Sequence, residues 1–69
     1  MELNLSHEDY LILAETMSRY GGNFCIKLAD AIRAADPTNK KKIVQAFPEI
    51  VEKYGRGSSF SKLAGFAHV

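Results

Sequence analysis

The chain has 69 residues, 46% of them hydrophobic and 25% charged, and a formal net charge of +1. This composition excludes the disordered class and provides for one hydrophobic core, while the charge is too small to identify nucleic acid as a partner. The single cysteine, Cys25, excludes an intramolecular disulfide and a multi-cysteine zinc site.

The charges are distributed unevenly along the chain. Residues 1–36 hold six acids and three bases, whereas residues 37–69 hold two acids and six bases. Such an asymmetry can orient a partner protein or a second copy by electrostatic steering. Because a core of this size stabilises a fold by only about 3 to 5 kcal/mol, we expect self-association as a homodimer.

The N-terminal segment does not resemble a secretory signal. Residues 1–17 contain four acids and no lysine or arginine, and their apolar run, residues 10–14, is short. No stretch approaches the roughly 18 apolar residues of a membrane span. We therefore expect a cytoplasmic protein with no membrane partner.

Helical spacing and two caps predict the first two helices at about residues 7–20 and 23–35. Ser6, followed by Asp9, nearly matches a capping box at the start of the first helix. Asn23 is the predicted N-cap of the second. The apolar stripe of the first helix consists of Tyr10, Leu13, Ala14 and Met17. That of the second consists of Phe24, Cys25, Leu28, Ala29, Ile32 and Ala35. Because the Gly-Gly link is short, the two helices should form a hairpin.

Two prolines define the third and fourth helices, at about residues 37–47 and 48–54. Asp36 is a predicted N-cap followed by proline at the first helical position, and Pro48 disfavours helical geometry at the residue before it. The residues predicted to face inward are Ile43, Val44, Phe47, Ile50, Val51 and Tyr54. Those predicted to face mostly water are Lys40, Lys41 and Lys42.

The chain after Gly55 carries a weaker signal. Its apolar residues are Phe60, Leu63, Ala64 and Phe66. Their spacing predicts either a short fifth helix, docked on the core or on a partner, or a disordered tail. No stretch alternates in the manner of a strand. We therefore predict an all-α fold, a compact bundle of four short helices in a domain of residues 1–55, with a C-terminal tail over residues 56–69.

The residues available for chemistry indicate a non-enzymatic protein. Cys25 lies on an apolar helix face, where a small buried hydrophobe is more common than a nucleophile. Paired acids in the first turns of predicted helices interact with the helix dipole; they are Glu8, Asp9, Glu49 and Glu52. The histidines and acids show none of the short spacings of metal ligands. We expect no catalytic residues, no cofactor and no metal site.

The second and third helices, joined by the Asp-Pro turn, suggest an alternative function. As a helix-turn-helix they would present polar residues to a DNA groove, namely Thr38, Asn39, Lys41, Lys42 and Gln45. These residues would also be polar if this face of the helix only contacted solvent. The low net charge, the lack of arginine on this helix and the flanking acids Asp36 and Glu49 argue against DNA. A small DNA-binding regulator is therefore the second candidate.

Apolar residues outside the stripes favour protein binding. Ile12 and Ile26 lie off the stripes. Three tail residues also need cover, namely Phe60, Leu63 and Phe66. Either a partner-binding patch or a tail folded back over one monomeric core would provide it. The predicted partner-binding residues are Ile12, Ile26, Phe60 and Phe66 for an apolar contact and Lys40, Lys41, Lys42 and Arg56 for a charged one.

A pattern of caps, turns and core positions extends over residues 7–55. Its residues are Gly21-Gly22-Asn23-Phe24, Ala31 to Pro37, Asn39, Ala46-Phe47-Pro48 and Tyr54. The pattern resembles that of small uncharacterised helical proteins encoded by tailed phages and prophages. The resemblance implies a bacterial host cytosol and an accessory role in infection, in which the protein binds and inhibits a host protein such as a component of CRISPR or another defence system. It implies no catalytic residues.

Overall fold

Five α-helices and one π-helical turn follow one another along residues 4–67, the part of the chain that this computed structural model describes. They are α1 (His7–Tyr20), α2 (Asn23–Ala34), α3 (Pro37–Ala46), α4 (Pro48–Tyr54), α5 (Ser59–Ser61) and the π-helical turn (Lys62–Phe66). Residues 4–67 contain no strand. The predicted all-α bundle is confirmed, and the bounds of its first four helices agree with the prediction to within one residue.

A capping box explains where α1 begins, whereas α2 begins after a glycine. Ser6 Oγ accepts from the Asp9 N–H at 3.1 Å and the Ser6 N–H donates to Asp9 Oδ2 at 3.0 Å, which completes the predicted capping box. The predicted cap of α2 is wrong, because Gly22 is the N-cap and Asn23 is already helical. Gly22 supplies no side-chain hydrogen bond, and glycine is tolerated at this position.

The two prolines act as predicted at the ends of α3. Asp36 accepts a hydrogen bond from the Asn39 N–H at 2.8 Å, and Pro37 occupies the first turn. Phe47 has φ −129° and ψ 64°, outside the helical region, because the following Pro48 disfavours helical geometry there. This single non-helical residue separates α3 from α4 and turns the chain.

The core surrounds α1, which packs along α2 and also contacts α4, α5 and the π-helical turn. Its buried members are Tyr10, Leu13, Ala14, Met17, Ala29, Ile32, Val44, Ile50 and Tyr54. Four of these come from α1, at the predicted helical spacing. None of the helices within residues 4–67 has the length and apolar character that a membrane span requires.

A second side of α1 is also buried, and this overturns the prediction for Ile12. Ile12 is 2% exposed, so it cannot contact a partner. It lies on one side of α1 with Glu8, Thr16 and Arg19, at steps of three and four residues. Glu8 binds Arg56, and the Arg19 guanidinium donates to the Ala64 carbonyl at 3.2 Å. That side of α1 therefore faces the C-terminal segment.

The C-terminal segment, residues 56–67, is docked on the bundle. Phe60 lies between two tyrosine rings, 5.5 Å from that of Tyr20 and 5.4 Å from that of Tyr54. Ser61 and Ala64 are buried. Of the alternatives for the tail, a docked short helix is therefore the one present; the last two residues of the predicted tail lie outside the described residues.

Candidate protein-binding surface

The apolar residues predicted to bind a partner do not form one exposed patch. Ile12 is buried, as described above, while Ile26 and Phe66 are half-buried. Phe60 is half-buried as well and packs against the core. Its ring is covered by Tyr20 and Tyr54. Ile12 and Phe60 are therefore covered within the monomer, and Phe60 helps to hold the C-terminal segment on the bundle.

The predicted basic residues are also separated. Lys40 Nζ lies over the Tyr10 ring, 5.7 Å from its centroid. Lys41 is half-buried and lines a shallow groove with Tyr10 and Pro37, whereas Lys42 is exposed. Arg56 points to the N-terminal turn of α1, as shown below. Lys40 and Lys41 thus both lie beside Tyr10 while Lys42 is exposed, and Arg56 belongs to another contact.

Arg56 closes a small cavity against the first turn of α1. Its guanidinium nitrogens lie 3.0 Å from Glu8 Oε1 and 3.3 Å from Asp9 Oδ1. Asp9 Oδ1 is buried and makes no hydrogen bond of good geometry, so this ion pair is its compensation. The cavity of about 240 Å³ is otherwise lined by apolar side chains such as Leu13 and Val51. The arrangement ties the segment after α4 to α1, which is a structural role.

Sequence reasoning missed two groups of aromatic side chains in contact. Tyr20, Phe60 and Tyr54 form one stack, and Phe24 meets Phe47 edge to face at 5.6 Å and 69°. We call these five residues the aromatic surface. Lys53 Nζ lies over it, 5.5 Å from the Tyr54 centroid and 6.0 Å from the Phe60 centroid. These distances are within the range of cation–π attraction.

A groove lies between the first turn of α2 and α4, and we call it the α2–α4 groove. It has a volume of about 270 Å³ and is lined by Phe24, Cys25, Glu49, Ile50, Lys53 and Tyr54. Ile50 and Tyr54 are buried and form an apolar floor. Glu49 and Lys53 are exposed and place one acid and one base at its rim. The groove is thus apolar inside and charged at the edge.

Phe24 is the most exposed aromatic residue of this surface, which contradicts its predicted place in the buried stripe. Of its surface, 61% is exposed. The contact with Phe47 covers one part of the ring and leaves the rest in solvent beside the groove. One feature of the sequence indicates this exposure, because Phe24 lies in the first turn of its helix, at the end of the stripe.

The groove has no arrangement of groups that indicates catalysis. Cys25 is half-buried in its wall, and the nearest charged groups there are Glu49 and Lys53 at the rim. Within residues 4–67, no cluster of three histidines, cysteines or acids is placed to hold a metal ion. The chemistry of this surface is that of apolar contact with one charge of each sign.

Comparisons of the chain with protein-family models, with curated proteins and with solved structures found no match. The resemblance to phage proteins therefore stays a prediction.

Proposed function

We propose that the chain is a non-enzymatic protein-binding module that contacts its partner through the aromatic surface and the α2–α4 groove. The observation that carries the proposal is Phe24, 61% exposed beside a groove with an apolar floor. Full burial of a phenylalanine is worth about 1.5 to 3 kcal/mol, and Phe24 forgoes the part of it that belongs to its exposed surface. Aromatic side chains are also enriched at the centres of protein interfaces.

The partner we propose is a host protein of the bacterial cytosol, which this chain binds and inhibits as a phage accessory protein. A component of a defence system is the most concrete candidate, in the manner of an anti-CRISPR protein. The support for this step is the sequence resemblance together with a small chain that offers a binding surface. A partner matched to the surface would insert an apolar side chain into the groove and place charges opposite Glu49 and Lys53.

DNA binding through α3 has less support from the placement of the basic residues. Proteins that bind DNA collect lysines and arginines along one face, where they neutralise phosphates. Here the two lysines expected to face the DNA groove differ in exposure, since Lys41 is half-buried and Lys42 is exposed, and Arg56 is paired with Glu8 and Asp9 at another site. The separation of these cations favours the protein-binding proposal over the regulator.

A capture experiment tests the proposal. The tagged chain and its Phe24→Asp variant are used to retain proteins from nuclease-treated bacterial lysate. Leu11→Asp is the matched control, because Leu11 is 54% exposed and lies outside the aromatic surface. We expect the native chain and the control to retain the same host protein and Phe24→Asp to lose it. Circular dichroism verifies that both variants are helical.

Two results would contradict this assignment. Equal capture by all three proteins would show that the aromatic surface does not bind the partner. In parallel samples without nuclease, recovery of nucleic acid that is lost in a Lys41→Ala, Lys42→Ala double variant would favour the DNA-binding regulator.

A further inference from the structure

We infer that a second copy of this chain occupies the α2–α4 groove, so that two copies pair about a two-fold axis near the middle of α4. The inference rests on the proposed function, because it assigns an occupant to the same surface. In a two-fold dimer the same patch is used by both copies, so the patch must be complementary to itself. The shape and the charge of this surface both meet that condition.

The shape condition is met by Phe24 and the groove beside it. Phe24 is a projecting ring, and the groove is a hollow of about 270 Å³ with Ile50 and Tyr54 as its floor. An apolar cavity of about 150 Å³ accommodates a benzene molecule, so the hollow has room for a phenyl ring. In a two-fold pair, Phe24 of each copy enters the groove of the other, and both rings leave water.

The charge condition is met by Glu49 and Lys53. Both line the groove, and they lie four residues apart, about 6 Å along one face of α4. Neither forms an ion pair with any other residue of the range 4–67, although Lys53 Nζ already lies over the Tyr54 and Phe60 rings. When two copies of α4 meet antiparallel, Glu49 of each copy lies opposite Lys53 of the other. The dimer therefore contains two reciprocal ion pairs.

The expected association is weak and concentration-dependent. A stable interface covers about 800 Å² on each partner, nearly a fifth of the 4369 Å² of this chain. The groove and its rim are smaller than that, and exposed ion pairs contribute little each. A dimer of this kind covers the binding surface until a host protein competes for it. The second copy thus regulates access to the same site.

Charge reversal with mixing tests the pairing. Sedimentation equilibrium is measured for the native chain, for Glu49→Lys, for Lys53→Glu and for an equimolar mixture of the two variants. Each variant alone places like charges across the two-fold axis, and we expect its dissociation constant to rise roughly tenfold. In the mixture each variant meets the opposite charges of the other. We expect the mixture to recover association close to that of the native chain.

The mixture separates contact between copies from effects within one chain. Each variant also introduces like charges at i and i+4 on its own helix, and mixing does not change that. Glu52→Lys is the matched control, because Glu52 is exposed on α4 but does not line the groove. We expect its association to equal that of the native chain, and circular dichroism verifies the helicity of every variant.

A native chain that remains monomeric at millimolar concentration, or a mixture that associates no better than its components, would overturn the inference. Neither result bears on the capture of a host protein, which is measured separately with Phe24→Asp. Conversely, a dimer restored by mixing alongside capture that Phe24→Asp leaves unchanged would support the second copy and contradict the proposed function.

Discussion

The two adjacent glycines between α1 and α2 have different physical reasons for being glycine. Both have negative φ angles, so neither needs a left-handed conformation. A Cβ on Gly21 would lie 2.7 Å from the Met17 carbonyl oxygen and would also collide with the Cβ of Cys25. A Cβ on Gly22 would have nothing within 4 Å. Gly21 is therefore required by close packing, whereas Gly22 is only a helix cap that lacks a side chain.

The same substitution at these two positions should have opposite effects. We expect Gly21→Ser to lower the free energy of unfolding by about 1 to 3 kcal/mol, because the new atoms meet backbone and a packed side chain. Gly22→Ser should raise it by about 0.5 to 1 kcal/mol, because serine caps the helix and restricts the unfolded chain. Urea denaturation measures both. Midpoints that shift equally would show that packing does not distinguish the two glycines.

At the scale of elements, the C-terminal segment is held by contacts along the whole length of α1. Arg56 binds Glu8 at the start of α1, and Arg19 binds the Ala64 carbonyl near its end. Between them Phe60 fills the space between two tyrosine rings. The Arg56–Glu8 ion pair is exposed and contributes little, and the Arg19–Ala64 hydrogen bond is only partly buried, so we expect the burial of Phe60 to be the largest contribution to the docking.

Removal of the Phe60 ring should therefore release the segment. We expect Phe60→Ala to lower the free energy of unfolding by about 1 to 3 kcal/mol, less than for a fully buried phenylalanine. Hydrogen exchange should accelerate at the amide of Lys62, which bonds to the Ser58 carbonyl at 3.1 Å. Leu63→Ala is the control, because Leu63 is 68% exposed and should shift stability by less than about 0.5 kcal/mol. Unchanged exchange in Phe60→Ala would contradict this account of docking.

At the scale of the whole molecule, one helix supplies nearly half of the buried cluster. The α1 members of the core are Tyr10, Leu13, Ala14 and Met17, and α2, α3 and α4 complete it with one or two residues each. A chain of 69 residues has no second core to compensate for a defect in the first. Its folding should therefore fail as a unit when α1 is damaged.

Two leucines of α1, one buried and one exposed, show how the effect of the same substitution depends on burial. Leu13 is fully buried in the core, whereas Leu11 is 54% exposed. We expect Leu13→Ala to cost about 2 to 5 kcal/mol, a large part of the whole stability of about 3 to 5 kcal/mol, so that the variant melts far below the native chain or is unfolded at 25 °C. Leu11→Ala should melt like the native chain in circular dichroism. A cooperative transition of Leu13→Ala at the native midpoint would show that the core does not depend on this helix.

The local features of the sequence were sufficient for the helices. Three local features act on backbone groups within three residues of them, namely Ser6 with Asp9, Asp36 with Pro37, and the Phe47-Pro48 pair. Their effects do not depend on what the rest of the chain does, because short-range hydrogen bonds and the proline ring set them. This is why the predicted bounds of the first four helices agree with the structure to within one residue.

The burial of individual side chains was decided by the tertiary structure. Ile12 lies off the main stripe, yet it is buried, on the side of α1 that faces a segment more than forty residues later in the chain. Phe24 lies on the stripe, yet it is exposed because its neighbours cover only part of its ring. Helical periodicity identifies which residues share a face, but only the packing of distant segments determines which faces are covered. The sequence by itself therefore determined the first four helices and, to within one residue, their ends, and the tertiary structure decided the place of the C-terminal segment and which apolar residues remain for a partner.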